Sequence, residues 1–242
     1  MNARLRKELA VAAPIGRGRS AGAKLVQEYL NVNGVIVTVD GDWGPATARG
    51  IDLFRKGATT VDQALMTALA QPLLRATTPA ASASTLAGNI VETAVQNMAP
   101  RPIEIGGQNA GPWVRHYMDG HEGPDWPWCM GFVTSVIAQA AAALGGKPPG
   151  HLARSYSCDV VGGRAKAAGR LALGTSGEVA PGCVFLVPAA RSGDWVHTGI
   201  IIDLDPETFS TIEGNTNDDG SREGFKVCSR IRRRDRLDVV LI

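Results

Sequence analysis

The chain has no apolar run approaching the roughly 20 residues a bilayer-crossing helix needs, so a helical membrane protein is excluded. Basic residues open it (Met1-Asn2-Ala3-Arg4-Leu5-Arg6-Lys7), but Glu8 and Pro14 interrupt the short apolar piece after them, and no secretory signal peptide is expected. One-sided charge is also missing: the net value over 242 residues is +2, too little to steer the whole protein to nucleic acid. Cysteine is scarce and irregularly spaced. Cys129, Cys158, Cys183 and Cys228 form neither a CxxC pair nor a zinc-ligand pattern, so no metal or other cofactor is expected. Reduced thiols are the default for a cytoplasmic product, although an even count leaves a disulfide open. A hydrophobic share of 44% with 20% charged residues describes a folded globular chain.

Charge and texture divide the chain. Residues 1–75 hold ten Lys/Arg against six Asp/Glu, and the remainder holds fifteen against seventeen. A basic front suits a module that meets an anionic polymer. Residues 1–19 read as a loose basic arm. Residues 20–74 read as a small three-helix module, with Leu25, Val26, Tyr29 and Leu30 on a first helix, Ile51 and Phe54 on a second, and Val61 to Leu74 as a third. Residues 75–88 are small and polar with one proline, as in a linker. Residues 89–242 are long enough for a core of their own. Helices are expected over Ile90–Met98 and Cys129–Leu144, the second stopped by Gly145-Gly146. Strands are expected over Cys183–Val187, Val196–Asp203, Thr208–Glu213, Phe225–Arg232 and Leu237–Ile242. Helices first and strands later predict an α+β domain with a mainly antiparallel sheet.

Chemistry concentrates at Cys129. In Trp126-Pro127-Trp128-Cys129-Met130-Gly131, a rigid segment runs into a predicted helix start. There a thiol meets unpaired N–H groups and the positive end of the helix dipole, which favour the thiolate. A base and an acid are placed by the turn Asp203-Leu204-Asp205-Pro206-Glu207. If it centres on Asp205, His197 faces Glu213 and Trp195 faces Asn215. Opposed side chains have Cβ atoms about 4.5–5.5 Å apart. Glu213 would accept the His197 Nδ1 proton and leave Nε2 for the thiol, with Asn215 assisting and the Cys129 N–H as oxyanion donor. Such a set carries out acyl transfer. The other three cysteines read as small buried hydrophobes, and His116, His121 and His151 as surface or loop residues.

Pro127-Trp128-Cys129-Met130-Gly131-Phe132-Val133 resembles the cysteine motif of CHAP domains, the cysteine/histidine-dependent amidohydrolase/peptidase family. Val196-His197-Thr198-Gly199-Ile200-Ile201 is similar to its histidine strand, and Ile212-Glu213-Gly214-Asn215-Thr216-Asn217 to its acid-and-asparagine segment. Gly224-Phe225-Lys226-Val227 and Arg230 to Arg234 resemble its closing strand. Pro181-Gly182-Cys183-Val184-Phe185 departs from it, with Cys183 where the family usually has aspartate. The resemblance implies a papain-like fold, helices on an antiparallel sheet, and cleavage of an amide in peptidoglycan. The catalytic residues would be Cys129, His197, Glu213 and Asn215, with Trp128, Trp195 and Asn109 as candidate substrate contacts. Residues 24–56, through Gln27, Leu30, Asp40-Gly41-Asp42-Trp43-Gly44-Pro45-Ala46-Thr47 and Phe54, resemble a small peptidoglycan-binding module. Arg55 stands where glutamine is more common. Asp40 and Trp43 are the candidate wall contacts there, with Trp43 equally suited to filling the core.

The implied protein is a monomeric peptidoglycan hydrolase of phage endolysin type. It would be held in the host cytoplasm until release, with peptidoglycan as partner, no nucleic acid and no membrane insertion. An injected antibacterial effector and a non-catalytic wall-binding or virion protein retaining the fold are the alternatives. The bond is left open between the N-acetylmuramoyl-L-alanine amide and a peptide bond of the stem or cross-bridge. Asp40-Gly41-Asp42-Trp43-Gly44 opens like a calcium loop but puts Gly44 and Ile51 at ligand positions, and Asn215 to Gly220 ends on Lys226. Neither is expected to bind calcium. Arg230, Arg232, Arg234 and Arg236 alternate along one strand and read as a solvated sheet edge, not a nucleic-acid patch.

Overall fold

The computed structural model describes residues 3–190, 193–217 and 224–242. In chain order the helices are α1 (Ala3–Glu8), α2 (Ala21–Val32), α3 (Pro45–Phe54), α4 (Gln63–Leu69), α5 (Gln71–Thr77), α6 (Leu86–Met98), α7 (Pro112–Tyr117), α8 (Cys129–Ala143) and α9 (Cys158–Ala167). The strands are β1 (Gly18–Arg19), β2 (Asp42–Trp43), β3 (Leu171–Leu173), β4 (Val184–Pro188), β5 (Trp195–Leu204), β6 (Thr208–Thr216), β7 (Lys226–Arg233) and β8 (Asp238–Val240). The protein is α+β. Among the described residues no helix is long and apolar enough to cross a membrane. The chain forms two compact units, Met1–Thr77 with Glu104–Asp125, and Thr78–Ile103 with Trp126–Ile242.

In the first unit the helices start where caps permit. Ser20 Oγ accepts from Ala23 N at 3.0 Å, Asp62 Oδ1 accepts from Leu65 N at 2.8 Å, and Pro45 opens α3. Val26, Tyr29 and Leu30 of α2 are buried with Ile51 of α3 and Met66 and Leu69 of α4. The helix expected over residues 61–74 is two helices, α4 and α5. Pro72 has no N–H to continue the ladder from one into the other. Residues 1–19 are not a loose arm throughout: α1 buries Leu5, Leu9 is buried just after it, and Gly18–Arg19 pair with Asp42–Trp43.

Residues 104–125 belong with this unit, although the sequence places them in the second domain. Arg115 explains the assignment. Its Nη2 lies 2.6 Å from Glu28 Oε2 and 3.2 Å from Glu8 Oε1, and its Nη1 lies 2.9 Å from Glu122 Oε2. A guanidinium shared among three carboxylates ties together segments nearly 90 residues apart, a separation no local pattern announces.

The second unit is built on a six-stranded antiparallel sheet of order β3-β8-β4-β5-β6-β7. Helix α8 is apolar on nearly every side because it is enclosed, packing on α6 and against β5 and β6. It ends as the sequence indicates: Gly145 takes φ 73° and Gly146 N bonds Ala141 O at 2.9 Å. Five strands fall where the β-rich runs predict them. The edge strand β3 is additional, three residues too short to show a period.

Candidate active site

Cys129 is the first residue of α8. Trp128 before it gives no side-chain cap, so its side chain takes none of the first-turn N–H groups, and the Met130 N–H bonds the Cys129 sulfur. Strand β6 runs close beneath this helix start. A Cβ on Gly214 would lie 2.6 Å from Phe132 Cβ and 2.9 Å from Trp128 Cζ3, so only glycine lets the strand approach this closely. Its neighbour Asn215 lines the same cleft as the thiol, and its other neighbour Glu213 reaches the thiol's partner, His197.

His197 on β5 joins the two. Its Nε2 lies 2.8 Å from Glu213 Oε2, and the ring also hydrogen-bonds Cys129. With Nε2 committed to the carboxylate, Nδ1 is the nitrogen left for the sulfur, the reverse of the assignment expected from sequence. The register differs from expectation too. Ile200 pairs with Ile212 and Ile201 with Thr211, two residues from the predicted alignment, with a bulge between Ile201 and Asp203. A two-residue offset keeps each side chain on its face, so His197 and Glu213 still meet, diagonally instead of directly opposite. Trp195 and Asn215 are therefore not the opposed pair expected. Gly199 makes the diagonal contact possible: a Cβ there would lie 2.7 Å from Glu213 Cγ and 2.9 Å from Ile212 O.

Glu213 is fully buried, and its oxygens are well occupied. Thr211 Oγ1 donates to Oε1 at 2.7 Å, Arg232 Nε donates to Oε1 at 2.8 Å, and Arg232 Nη2 lies 2.5 Å from Oε2. Arg232 is thus part of the site and not a member of a solvated edge. Nor do the four arginines share one strand face: Arg230 bonds Asn217 O, while Arg234 and Arg236 lie in a 3-10 turn where Arg234 bonds Gly174 O. Sequence reasoning missed Thr211 and Arg232, yet sheet parity could have found them. Thr211 pairs with Arg230 and Glu213 with Cys228, which puts 211, 213, 230 and 232 on one face.

The charges are set by these contacts. A hydrogen bond from Cys158 is the largest influence on Cys129; with His197 and the Met130 N–H it outweighs burial and holds the thiol well below its usual range. Burial alone would depress His197, but Cys129 and Glu213 raise it to about 9. Burial likewise opposes ionised Glu213, but Arg232 and His197 hold it down to about 2. The Cys158 thiol is driven upward, first by its bond to Cys129 and then by burial. These directions favour a thiolate at Cys129, an imidazolium at His197 and a protonated Cys158 as donor. Cys158 is therefore not the inert hydrophobe expected. Cys183 is, buried in an apolar cluster with Phe185 and Ile201.

The site opens into a cleft of about 540 Å³, lined by Cys129, Cys158, Asp159, Trp195, His197 and Asn215 among others. Trp195 is fixed there by its N–H to Asp159 Oδ1 at 2.7 Å and its indole N–H to Asp238 Oδ2 at 2.8 Å. Asn215 sits at a β-bulge with φ 53°, and its buried Oδ1 has no hydrogen-bond partner among the described residues. Trp128 is fully buried under the helix start, a packing residue and not a substrate contact. Asn109 is buried in the first unit and donates to Pro124 O at 3.1 Å. Also in the first unit, Trp43 is 4% exposed, so its indole fills the core and presents no face to a sugar. Asp40 Oδ1 is taken up by Gln27 Nε2 and Asp42 N, both at 2.8 Å. Gln27 in turn accepts from Asp40 N and Gly41 N, so these residues build the loop. His116 is buried, contrary to its reading as a surface or loop residue. The acidic part of the calcium-like segment, Asp218-Asp219-Gly220, lies outside the described residues. No protein-family model, curated protein or solved structure matches this chain.

Proposed function

We propose that this protein is a cysteine amidohydrolase of the CHAP type, with a papain-like second unit, that cuts an amide bond in bacterial peptidoglycan. One observation carries the reaction class: Cys129, His197 and Glu213 form a continuous hydrogen-bonded series ending at a sulfur in an open cleft. The substrate class rests on the ordered motifs around Cys129, His197 and Glu213, and on the resemblance of residues 24–56 to a wall-binding module. With Trp43 and Asp40 engaged internally, wall contact by that module falls to other surface residues.

In the proposed reaction the Cys129 thiolate attacks the amide carbonyl, and a C–S bond forms. Negative charge moves to the carbonyl oxygen, which takes hydrogen bonds from N–H groups at the start of α8. His197 Nδ1 then protonates the departing amine as the C–N bond breaks, leaving a thioester. Water attacks the thioester with His197 as base, and the Cys129 sulfur leaves. Glu213 holds the ring and its positive charge throughout. Asn215 lines the cleft beside Cys129 and His197, where its side-chain amide assists by hydrogen bonding. Endolysin-type release at the wall is the biological setting that fits this activity.

Clearing of purified cell walls tests the reading. Wild-type protein should reduce their turbidity, and Cys129→Ala and His197→Ala should not while both remain folded by circular dichroism. Clearing by Cys129→Ala at the wild-type rate would rule out the thiol mechanism. A folded wild-type protein that binds walls without clearing them would point to the non-catalytic alternative.

A further inference from the structure

Cys158 takes no part in the hydrolytic steps, yet its sulfur is hydrogen-bonded to that of Cys129 and both line the same cleft. The two thiols are brought together from separate segments, each as the first residue of a helix, α8 for Cys129 and α9 for Cys158. Ser157 caps α9 by accepting from Val160 N at 3.3 Å, which fixes the turn that presents Cys158. Both residues are mostly buried, at 6% and 7% relative exposure, and what surface they keep borders the cleft they line. Among four cysteines spread over 100 positions, this is the pair at the nucleophile.

We propose that Cys129 and Cys158 are a reversible oxidation site, in which a hydroperoxide oxidises Cys129 and Cys158 closes a disulfide onto it. The Cys129 thiolate attacks one peroxide oxygen; an S–O bond forms, the O–O bond breaks, and the leaving hydroxide takes up a proton as water. Cys129 is now a sulfenic acid. The Cys158 sulfur attacks the Cys129 sulfur, the S–S bond forms and the S–O bond breaks. The departing hydroxide combines with the Cys158 proton as a second water. In sum, two thiols and one hydrogen peroxide give a disulfide and two waters, with the peroxide as the species reduced.

The order of events is built into the pair. While Cys129 is an anion it holds the Cys158 proton in place, with Asp159 acting in the same direction. Converting Cys129 to an uncharged sulfenic acid removes the larger influence. Cys158, at a helix start, is then released to act as the attacking thiol. From hydrogen-bond contact the sulfurs must close to about 2.05 Å for the disulfide to form. The disulfide occupies the nucleophile and shields it from irreversible oxidation to sulfinic acid.

The proposal rests on the thiol pair and not on the hydrolase reading, and its test uses no wall substrate. The full-length reduced protein is treated with hydrogen peroxide, capped with iodoacetamide, digested without reductant and analysed by mass spectrometry. The expected result is a linked peptide joining Cys129 and Cys158, lost on adding dithiothreitol, after which both cysteines take up label again. In Cys158→Ser the link should be absent, and Cys129 should pass to sulfinic acid that dithiothreitol does not reverse. Absence of the linked peptide in the wild type would overturn the proposal, as would Cys129 joined instead to Cys183 or Cys228. Equal sulfinic acid formation in wild type and Cys158→Ser would also overturn it. The comparison with Cys158→Ser is made on variant protein shown to be folded by circular dichroism, and where it does not fold the linked peptide in the wild-type digest decides.

Discussion

Arg232 grips Glu213 by two edges of its guanidinium, Nε to Oε1 at 2.8 Å and Nη2 to Oε2 at 2.5 Å. The carboxylate it holds is the one that orients His197, so a residue on the outermost strand, β7, fixes the partner of the base on β5. Thr211 adds a third donor, and together these partners compensate for placing a carboxylate where no water reaches it.

Arg232→Met should therefore cost both stability and activity. Removing one partner of a buried ion pair strands the other, with a penalty on the order of 3 kcal/mol. Arg232→Lys keeps the charge but loses the two-point geometry, so it should fall between wild type and Met. Thermal melts with wall-clearing rates check this. An Arg232→Met protein with wild-type melting and activity would remove Arg232 from the site.

The pH response has a calculable sign. Glu213 is lowered from 4.5 to about 2, so its stabilisation is complete above 4.5 and is lost as pH falls towards 2. His197 is raised from 6.5 to about 9, so its stabilisation is complete below 6.5 and is lost as pH rises through 9. The combined contribution of Glu213 and His197 should therefore be greatest between about 4.5 and 6.5. Iodoacetamide labelling of Cys129, followed by peptide mass spectrometry, should already be fast in the range of about pH 6–7, where an ordinary thiol is protonated. In His197→Ala the rise of that profile should move to higher pH. A labelling profile for wild-type Cys129 matching that of a free thiol would contradict the thiolate–imidazolium pair.

Gly199→Ala introduces a methyl group 2.7 Å from both Glu213 Cγ and Phe185 Cε1. Both neighbours are buried in the sheet face, so relief requires moving the carboxylate or the ring. Destabilisation of about 1–3 kcal/mol is expected, accompanied by loss of activity larger than stability alone explains. Urea unfolding and wall clearing measured on the same sample separate the two effects.

Truncation tests the division into units. A fragment of residues 89–242 keeps Arg115 and Glu122 but lacks Glu8 and Glu28, which share the guanidinium in the intact protein. It should melt well below the full-length chain. Removing residues 104–125 as well should relieve the defect if that segment belongs with the first unit. A fragment of residues 89–242 that melts like the intact protein would contradict that assignment.

Much of the second unit was legible because its signals are local. The start of α8 at Cys129, its glycine stop and five of the strands are specified by period, caps and turn residues. The diagonal meeting of His197 and Glu213 depended on the bulge between Ile201 and Asp203. The pairs next to the turn, Asp203–Ser210 and Leu204–Phe209, are one residue out of step with Ile200–Ile212, and the bulge brings His197 and Glu213 onto the same face. Bulges leave little trace in composition. Arg232 was within reach of strand parity once β6 and β7 are paired, whereas Cys158 was not legible as a partner because it reaches the site from a distant segment and alone looks ordinary. Arg115 escaped notice for the same reason in the first unit. Trp43 illustrates the opposite error: an aromatic in a turn resembles a ligand contact, and only its burial shows that it packs.

The most direct measurement is mass spectrometry of muropeptides released from purified peptidoglycan by wild-type protein and by Cys129→Ala. The thiol mechanism predicts new paired amine and carboxyl ends at one type of amide with the wild type, and none with Cys129→Ala. Equal release by the variant, or products carrying new sugar reducing ends in place of cut amides, would contradict it.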